Sequence, residues 1–574
     1  LDPATVILNQ VFSTGPSKLN GFLEVAGSSA DVLIVNPLGI VCDSCGAINI
    51  DRLDMVIGSV TLSGGSVTTL NSTTSSADFR LVGAGMDATN TGWISIIAPE
   101  AIVDGSLNAK KLYLGLGSGN YTRSANGYAR ATTGASTDSQ SLLVSETGGM
   151  FADQVTIDSQ SSSQNPTLRV FGEIAANSGD LDVSADGIVS ITGRMSASND
   201  LSVVTTSSGD SKNVAAADIQ LINGALTSGN DMVLTADTGS LVFNGGQLYS
   251  FNDLTLDSLT LVDEATGNPA EFNNTRFAGG LLQFNVDNDI IMRGTSWEAD
   301  TFLFDAYGTL TLDVGEGTVL KALTLMDMNI KALLNDGTIA SLDRSTVDAS
   351  QKVTNYSNGV VSSVNSSTLT VPVFDNAGKW IGASADTATG SVIWDISSSI
   401  YNRTGGTLSS ADSWSIAGGA TFTNKGTVSS DLSLDAALAS LTNSGEITLS
   451  LRDSAEASDW TVVTLNNQDS GTIFAGGDWV INSDGARGSS ITNTGTLQGY
   501  HNLSMYFDTL NLPQGEEISG ALAGTAGDQF TITITNATTL ESLLFSNADL
   551  AATFDAGLNV TTQGAIAANG SATV

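Results

Sequence analysis

The 574-residue chain holds two cysteines, Cys42 and Cys45, and one histidine, His501, against 59 acidic and 21 basic residues. A C-x-x-C pair can hold zinc, run thiol–disulfide exchange or close a short disulfide. Structural zinc takes four Cys or His ligands, and the remaining candidate, His501, lies far along the chain. A redox pair sits at a helix start, where the dipole lowers the thiol pKa. Cys42 instead follows a strand-like run, Asp31-Val32-Leu33-Ile34-Val35, and a turn. A short disulfide between Cys42 and Cys45 that pins this bend is favoured over two free buried thiols.

Glycoside hydrolysis needs two carboxyl groups flanking the scissile bond. The chain has no Asp-Asp dipeptide, and His501, within Gly499-Tyr500-His501-Asn502, lacks the Gly-His-Gly surroundings seen in polygalacturonases. It reads as a turn residue. The glycines of Gly115-Leu116-Gly117-Ser118-Gly119 lack the P-loop lysine. Weak calcium binding at Asp287 and Asp289 would be chemically allowed, but neither an EF-hand loop nor a nonapeptide calcium repeat is present. The expectation is a chain that is not an enzyme and holds no cofactor or metal.

The residues before the cysteines form a punctuated element. Asn36-Pro37-Leu38-Gly39 suits a type I β-turn, because proline presets φ at the second position and the Asn side chain can bond the backbone two residues on. Around it the composition is that of strands and tight turns: 61 glycines, 8 prolines, 14% charged residues and 41% apolar residues. The net charge of −38 repels phosphate backbones, which excludes nucleic acid as a partner and favours solubility. No apolar run is long enough for a membrane-spanning helix.

A repeat sets the architecture. Gly193 is followed by Met195, Ala197, Asn199-Asp200, Leu201 and Val203, and the same register returns at Gly224 and Gly246, 31 and 22 residues on. Gly471 and Gly495 open further copies, and Gly564 carries the register to Val574. Each copy reads as strand, turn, strand, too short to bury its apolar side without stacked neighbours. The fold class is all-β: a right-handed parallel β-helix, a solenoid of the pectin-lyase type. At about 22 residues per coil the chain would make about 26 coils, and at about 4.8 Å each a rod of about 120 Å. Thr423-Asn424-Lys425-Gly426, Thr442-Asn443-Ser444-Gly445 and Thr492-Asn493-Thr494-Gly495 either stack as an Asn ladder or serve their turns one by one, Asn being tolerant of left-handed backbone. Residues 348–404 fit the register least and are expected to be irregular, with Trp380 and Trp394 read as core fillers rather than as a surface site.

Asn36-Pro37-Leu38-Gly39-Ile40 followed by Cys42-x-x-Cys45-Gly46-x-x-Asn49 resembles the secretion domain of the filamentous haemagglutinin family, the large exoproteins of two-partner secretion. There an N-P-N-G-I segment is often followed by C-x-x-C-G-x-x-N; Leu38 stands where the family usually has Asn. Pro16 through Gly27 upstream, and Gly85-Met86-Asp87-Ala88 with Leu107 through Leu112 downstream, are similar to the flanks of that motif. The resemblance implies a secretion domain over 1–120, lacking its N-terminal piece, and a repeat region over 121–574 that continues beyond Val574. It implies a protein secreted by, or displayed on, a Gram-negative bacterium, with an outer-membrane β-barrel transporter bearing periplasmic domains as partner. Asn36, Pro37, Gly39 and Ile40 would serve transporter recognition or domain nucleation, or simply form a turn needed for folding. The expected role is adhesion to host-cell or matrix glycans or proteins; the alternatives are the stalk of a contact-dependent toxin and, least favoured, a polysaccharide-acting enzyme.

Overall fold

The computed structural model describes residues 4–12, 14–72, 77–124, 127–133, 140–159, 167–206, 217–264, 280–287, 289–305, 309–385, 390–450 and 457–574. Among them every regular element is a strand. No helix long and apolar enough to cross a membrane is found there. The chain divides into two compact units, 1–300 and 301–574. Each is a parallel β-solenoid in which a strand pairs with its counterparts one coil before and one coil after.

In the first unit a coil has three faces. Ile188–Ile191, Arg194–Ala197 and Leu201–Thr206 follow one another, and each pairs not with its neighbour in sequence but with the third strand on. The repeat register carries over residue by residue: Met195 stacks on Leu226 and then Leu248, and Leu201 on Met232 and then Leu254, all inward and buried. Strand, turn, strand therefore covers only two faces. The third has no recurring landmark, since Ile188–Ile191 follows Gly187 but its counterpart Ile219–Ile222 follows Asp218, and Ile188–Ile191 alternates plainly between half-buried and buried positions.

The second unit fuses two faces into one long bent strand. Trp414–Asn424 is an example: its pairing shifts around Gly418 and Gly419, both at positive φ, and it is followed by the short strand Thr427–Ser430. The stretch 348–404, expected to be irregular, forms such coils, with Arg344–Asn355, Ser366–Asn376 and Val392–Asn402 pairing in parallel. Trp380 and Trp394 lie in the core, their rings 6.2 Å apart, with Phe374 about equally close to both at 5.0 and 5.1 Å.

The ladder is real and longer than the Thr-Asn-x-Gly motif marks. Asn335, Asn355, Asn376, Asn402, Asn424, Asn443, Asn467 and Asn493 are each at most 1% exposed. Each Nδ2 except that of Asn493, the last, donates to the Oδ1 of the next asparagine, over 2.7–2.9 Å. From Asn355 onward each Nδ2 also donates to a backbone carbonyl on the following coil, as Asn424 does to Glu446 and Asn443 to Thr472. None of the eight has positive φ. Their selection rests on the amide, which donates and accepts along one axis, and not on tolerance of left-handed backbone. The companion glycine is steric: a Cβ on Gly426 would stand 2.8 Å from the Asn402 amide nitrogen.

Candidate functional site

The turn at 36–39 forms as its residues dictate. Gly39 N–H donates to Asn36 O at 3.3 Å, and Asn36 Oδ1 accepts from Leu38 N at 2.9 Å. Asn36 Nδ2 reaches the preceding coil, donating to Gly15 O at 3.1 Å and Ser17 Oγ at 2.9 Å. The Asn36 side chain is thus fully buried and committed on every side. Ile40 is buried as well, where Ile40–Ile48 begins between Ser17–Glu24 and Asp78–Ala88. Gly39 has φ of 109°, and a Cβ there would meet Asp78 O at 3.0 Å. What faces solvent is the tip, Pro37 and Leu38. Leu38 enters the hydrogen bonding through its backbone N–H, so Leu in place of the family's Asn leaves that bond intact.

Cys42 and Cys45 are joined, with Cα atoms 5.5 Å apart. Cys42 pairs with Leu19 and Cys45 with Gly21, so Asp43 and Ser44 together oppose the single residue Asn20. This is a β-bulge, and Ser44 takes the left-handed backbone it requires, φ 57°. The bond closes the bulge, and Ser44 Oγ accepts from Ala84 N on the next coil. Asn49, the last residue of the motif, ties the coil to its predecessor by donating to Val25 O and Gly27 O at 2.6 and 2.9 Å.

A second feature carries no motif. Gly127–Thr133, Gly119–Ser124, Ser66–Ser72 and Gly58–Ser63 form a four-stranded antiparallel sheet, lying in that order outside the parallel ladder. Its Leu70 and Tyr121 pack onto Leu33, Val35, Val56, Ile97 and Tyr113 of the solenoid. Charge fixes it in place. Asp54, fully buried, accepts from Arg123 Nε at 2.7 Å and from Arg52 Nε at 3.2 Å, and also from Ser95 and Tyr128. Arg123 spans to Asp31 as well, at 2.5 Å. Burial would lower the Arg123 pKa, but the two carboxylates outweigh it and raise it. On the far side Arg130 meets Asp158 at 3.3 Å, and Tyr113 stacks on Tyr128 at 4.6 Å. Burial pushes the Tyr113, Tyr121 and Tyr128 hydroxyls far up, and raises Asp158 against the pull of Arg130. The network escaped the sequence reading, yet it had a signal: Tyr121-x-Arg123 and Tyr128-x-Arg130 repeat one spacing. In the hairpin Tyr121 faces Arg130 and Arg123 faces Tyr128.

His501 sits 3.3 Å from Asp528 in a turn of the second unit, away from these groups in sequence. Asp287 does not join a metal-ligating cluster, and no group of three or more His, Cys, Asp or Glu with that geometry occurs among the described residues; Asp289 likewise belongs to no such group.

Residues 2–191 match the TPS secretion domain family. These residues, the first third of the chain, are a secretion domain of the two-partner secretion type. The chain is accordingly a secreted or surface-displayed protein of a Gram-negative bacterium. Over 513 residues, 87% of this chain, it is 27% identical to a 16S rRNA endonuclease CdiA of Enterobacter cloacae. Over 205 residues it is 32% identical to a toxin CdiA of Yersinia pestis, covering 36% of this chain. These alignments span 14% and 6% of the relatives' lengths. The solved filamentous hemagglutinin secretion domain is similar at 22% identity over 43% of this chain and 72% of that one, with a TM-score of 0.30.

Proposed function

We propose that the Asn36–Gly39 turn is the feature by which an outer-membrane β-barrel transporter with periplasmic domains takes up this exoprotein. Asn36, Gly39 and Ile40 shape the turn from beneath, and Pro37 with Leu38 forms the surface that is read. The carrying observation is this division of labour: the buried amide holds the loop against the preceding coil and leaves two apolar residues outward. The secretion domain extends past the sequence-based limit near residue 120 to include the hairpin strands up to Thr133, because Arg123 anchors them to Asp31 and Asp54 on the first coils and Arg130 to Asp158 on a later one. The remaining solenoid is a stalk. Its one-way amide ladder suits a chain that leaves a pore in sequence order: each finished coil presents amide N–H groups that the next coil's Asn Oδ1 and carbonyl accept.

The stalk works as an adhesin, with glycans or proteins of a host cell or matrix as partners. A second reading, a delivery stalk for a contact-dependent toxin, is favoured by the toxin and nuclease names of the relatives. Co-expression with and without the transporter tests the common part: the chain reaches the cell surface or medium only with it, and equal export without it contradicts the proposal. Binding of the purified chain to cultured cells tests the adhesin; growth inhibition of neighbouring cells by a version joined to a nuclease domain, with no binding of the chain itself, favours the stalk.

A further inference from the structure

A solenoid coil touches only the coil before it and the coil after it, so its stability is a sum over neighbours and its ends open one coil at a time. The hairpin strands Gly119–Ser124 and Gly127–Thr133 depart from this rule. Five solenoid strands pair in succession beside them: Ala30–Val35, Ile50–Val56, Trp93–Ala98, Lys111–Leu116 and Gln154–Ser159. Four steps of about 4.8 Å set the first and the fifth about 19 Å apart. The hairpin is bonded to all five.

Arg123 holds the first two coils, giving Nη2 to Asp31 at 2.5 Å and Nε to Asp54 at 2.7 Å. Tyr128 holds the middle three. Its hydroxyl meets Asp54 on the second and Ser95 Oγ on the third, the latter at 2.6 Å, and its ring stacks on Tyr113 of the fourth at 4.6 Å. Arg130 holds the last two, donating Nη2 to Leu116 O at 2.9 Å and Nη1 to Asp158 at 3.3 Å. Gly115 leaves the room this needs, since a Cβ there would stand 2.6 Å from the Tyr121 ring.

We propose that the hairpin is a strap that makes these five coils one cooperative unit, opening and closing together instead of from the end inward. To free any one of them the strap must lift. Lifting strips Arg123 and Arg130 from their carboxylates and withdraws Tyr121 from the cluster it forms with Leu33, Val35, Val56 and Ile97. A buried ion pair broken on one side only is costly, so a half-lifted strap is disfavoured. An order of assembly follows. The strap is latched at its far end only once the coil carrying Asp158 has formed, so a chain that folds in sequence order completes the unit after that residue, and later coils stack on a finished platform. The strap does not depend on the role proposed for the Asn36 turn.

Native-state hydrogen exchange of the full chain, read by mass spectrometry, tests this. In the wild type the five strands should share one protection and one urea dependence. Arg130→Met removes the latch at the fifth coil and should speed exchange there about tenfold, the loss of one charge-assisted hydrogen bond. Exchange in Ala30–Val35, four coils away, should rise by the same factor. Arg130→Lys keeps the charge and should act equally at both places but less, and it supplies the same comparison if R130M does not fold. Val183→Ala, in the core of the next coil, Leu181–Asp186, lies beyond the strap and should speed exchange there while leaving Ala30–Val35 unchanged. An effect of the Arg130 variants that fades from Gln154–Ser159 toward Ala30–Val35, or graded protection of the five strands in the wild type, overturns the proposal.

Discussion

Asn36 is buried, so anything that docks at the turn feels it only through the backbone it holds. Asn36→Ala removes the acceptor of Leu38 N and the donor to Gly15 and Ser17, and leaves those groups to find new partners inside the domain. A loss of about 2–4 kcal/mol is expected, measured by urea unfolding of the chain. Residue types alone suggested this turn and the disulfide, because proline, glycine and cysteine declare their geometry locally. They did not show that the asparagine faces inward, which depends on a carbonyl and a hydroxyl twenty residues upstream. The same limit hid Asp54: one buried carboxylate in a chain with 59 acidic residues has no local mark. Asp54→Asn leaves Arg123 and Arg52 buried with a weaker partner. It should cost about 3–5 kcal/mol and release the hairpin strands, seen as new proteolysis between Gly119 and Thr133.

At the scale of elements, the Asn ladder has a direction that can be tested. Asn443 accepts from Asn424 at 2.7 Å and donates to Asn467 at 2.8 Å. Asn443→Asp keeps the shape and the acceptor but, once ionised, sets a carboxylate oxygen against the Asn467 oxygen. It should destabilise the second unit at pH 7 by at least as much as Asn443→Ala, about 2–4 kcal/mol. Unlike the alanine variant, it should recover stability below pH 5, where a protonated carboxyl can donate. Equal behaviour of both variants at all pH values would rule out the directional ladder. The repeat register was legible in sequence because stacked inward residues recur at fixed spacing after a glycine. The third face was not, because the glycine before Ile188–Ile191 does not recur before its counterpart Ile219–Ile222, and the regular coils of 348–404 were obscured because the fused strands carry bends instead of the Asn-Asp turn.

At the scale of the whole molecule, acid should stabilise before it denatures. Burial, with neighbouring carboxylates at all four positions, raises Asp158, Asp182, Asp257 and Asp327 above the ordinary value of 3.8. The folded chain therefore binds these protons more tightly than the unfolded one, and stability grows as pH falls from neutral through the raised values toward 3.8. Relief of the self-repulsion of a −38 chain acts in the same sense. Asp549, held low by Ser571, opposes it and loses its contribution below 3.8. The melting temperature should be higher at pH 5 than at pH 7.5. At the alkaline end, Tyr113, Tyr121 and Tyr128 are raised above 10.0, so stability is full below that value and is lost as pH climbs beyond it and the unfolded tyrosines ionise first. Far-ultraviolet circular dichroism melts from pH 4 to 11 check both limbs.

Secretion and stability, measured side by side for Leu38→Asp and Asn36→Ala, each co-expressed with the transporter, separate recognition of the turn from its role in folding. Leu38 is 44% exposed and bonds only through its backbone N–H. L38D should therefore keep wild-type stability while secretion falls at least about tenfold, the effect of charging an apolar contact surface; N36A should lose secretion and stability together. Undiminished secretion of L38D, at unchanged stability, would contradict recognition of the Pro37–Leu38 tip and leave the turn with a folding role alone.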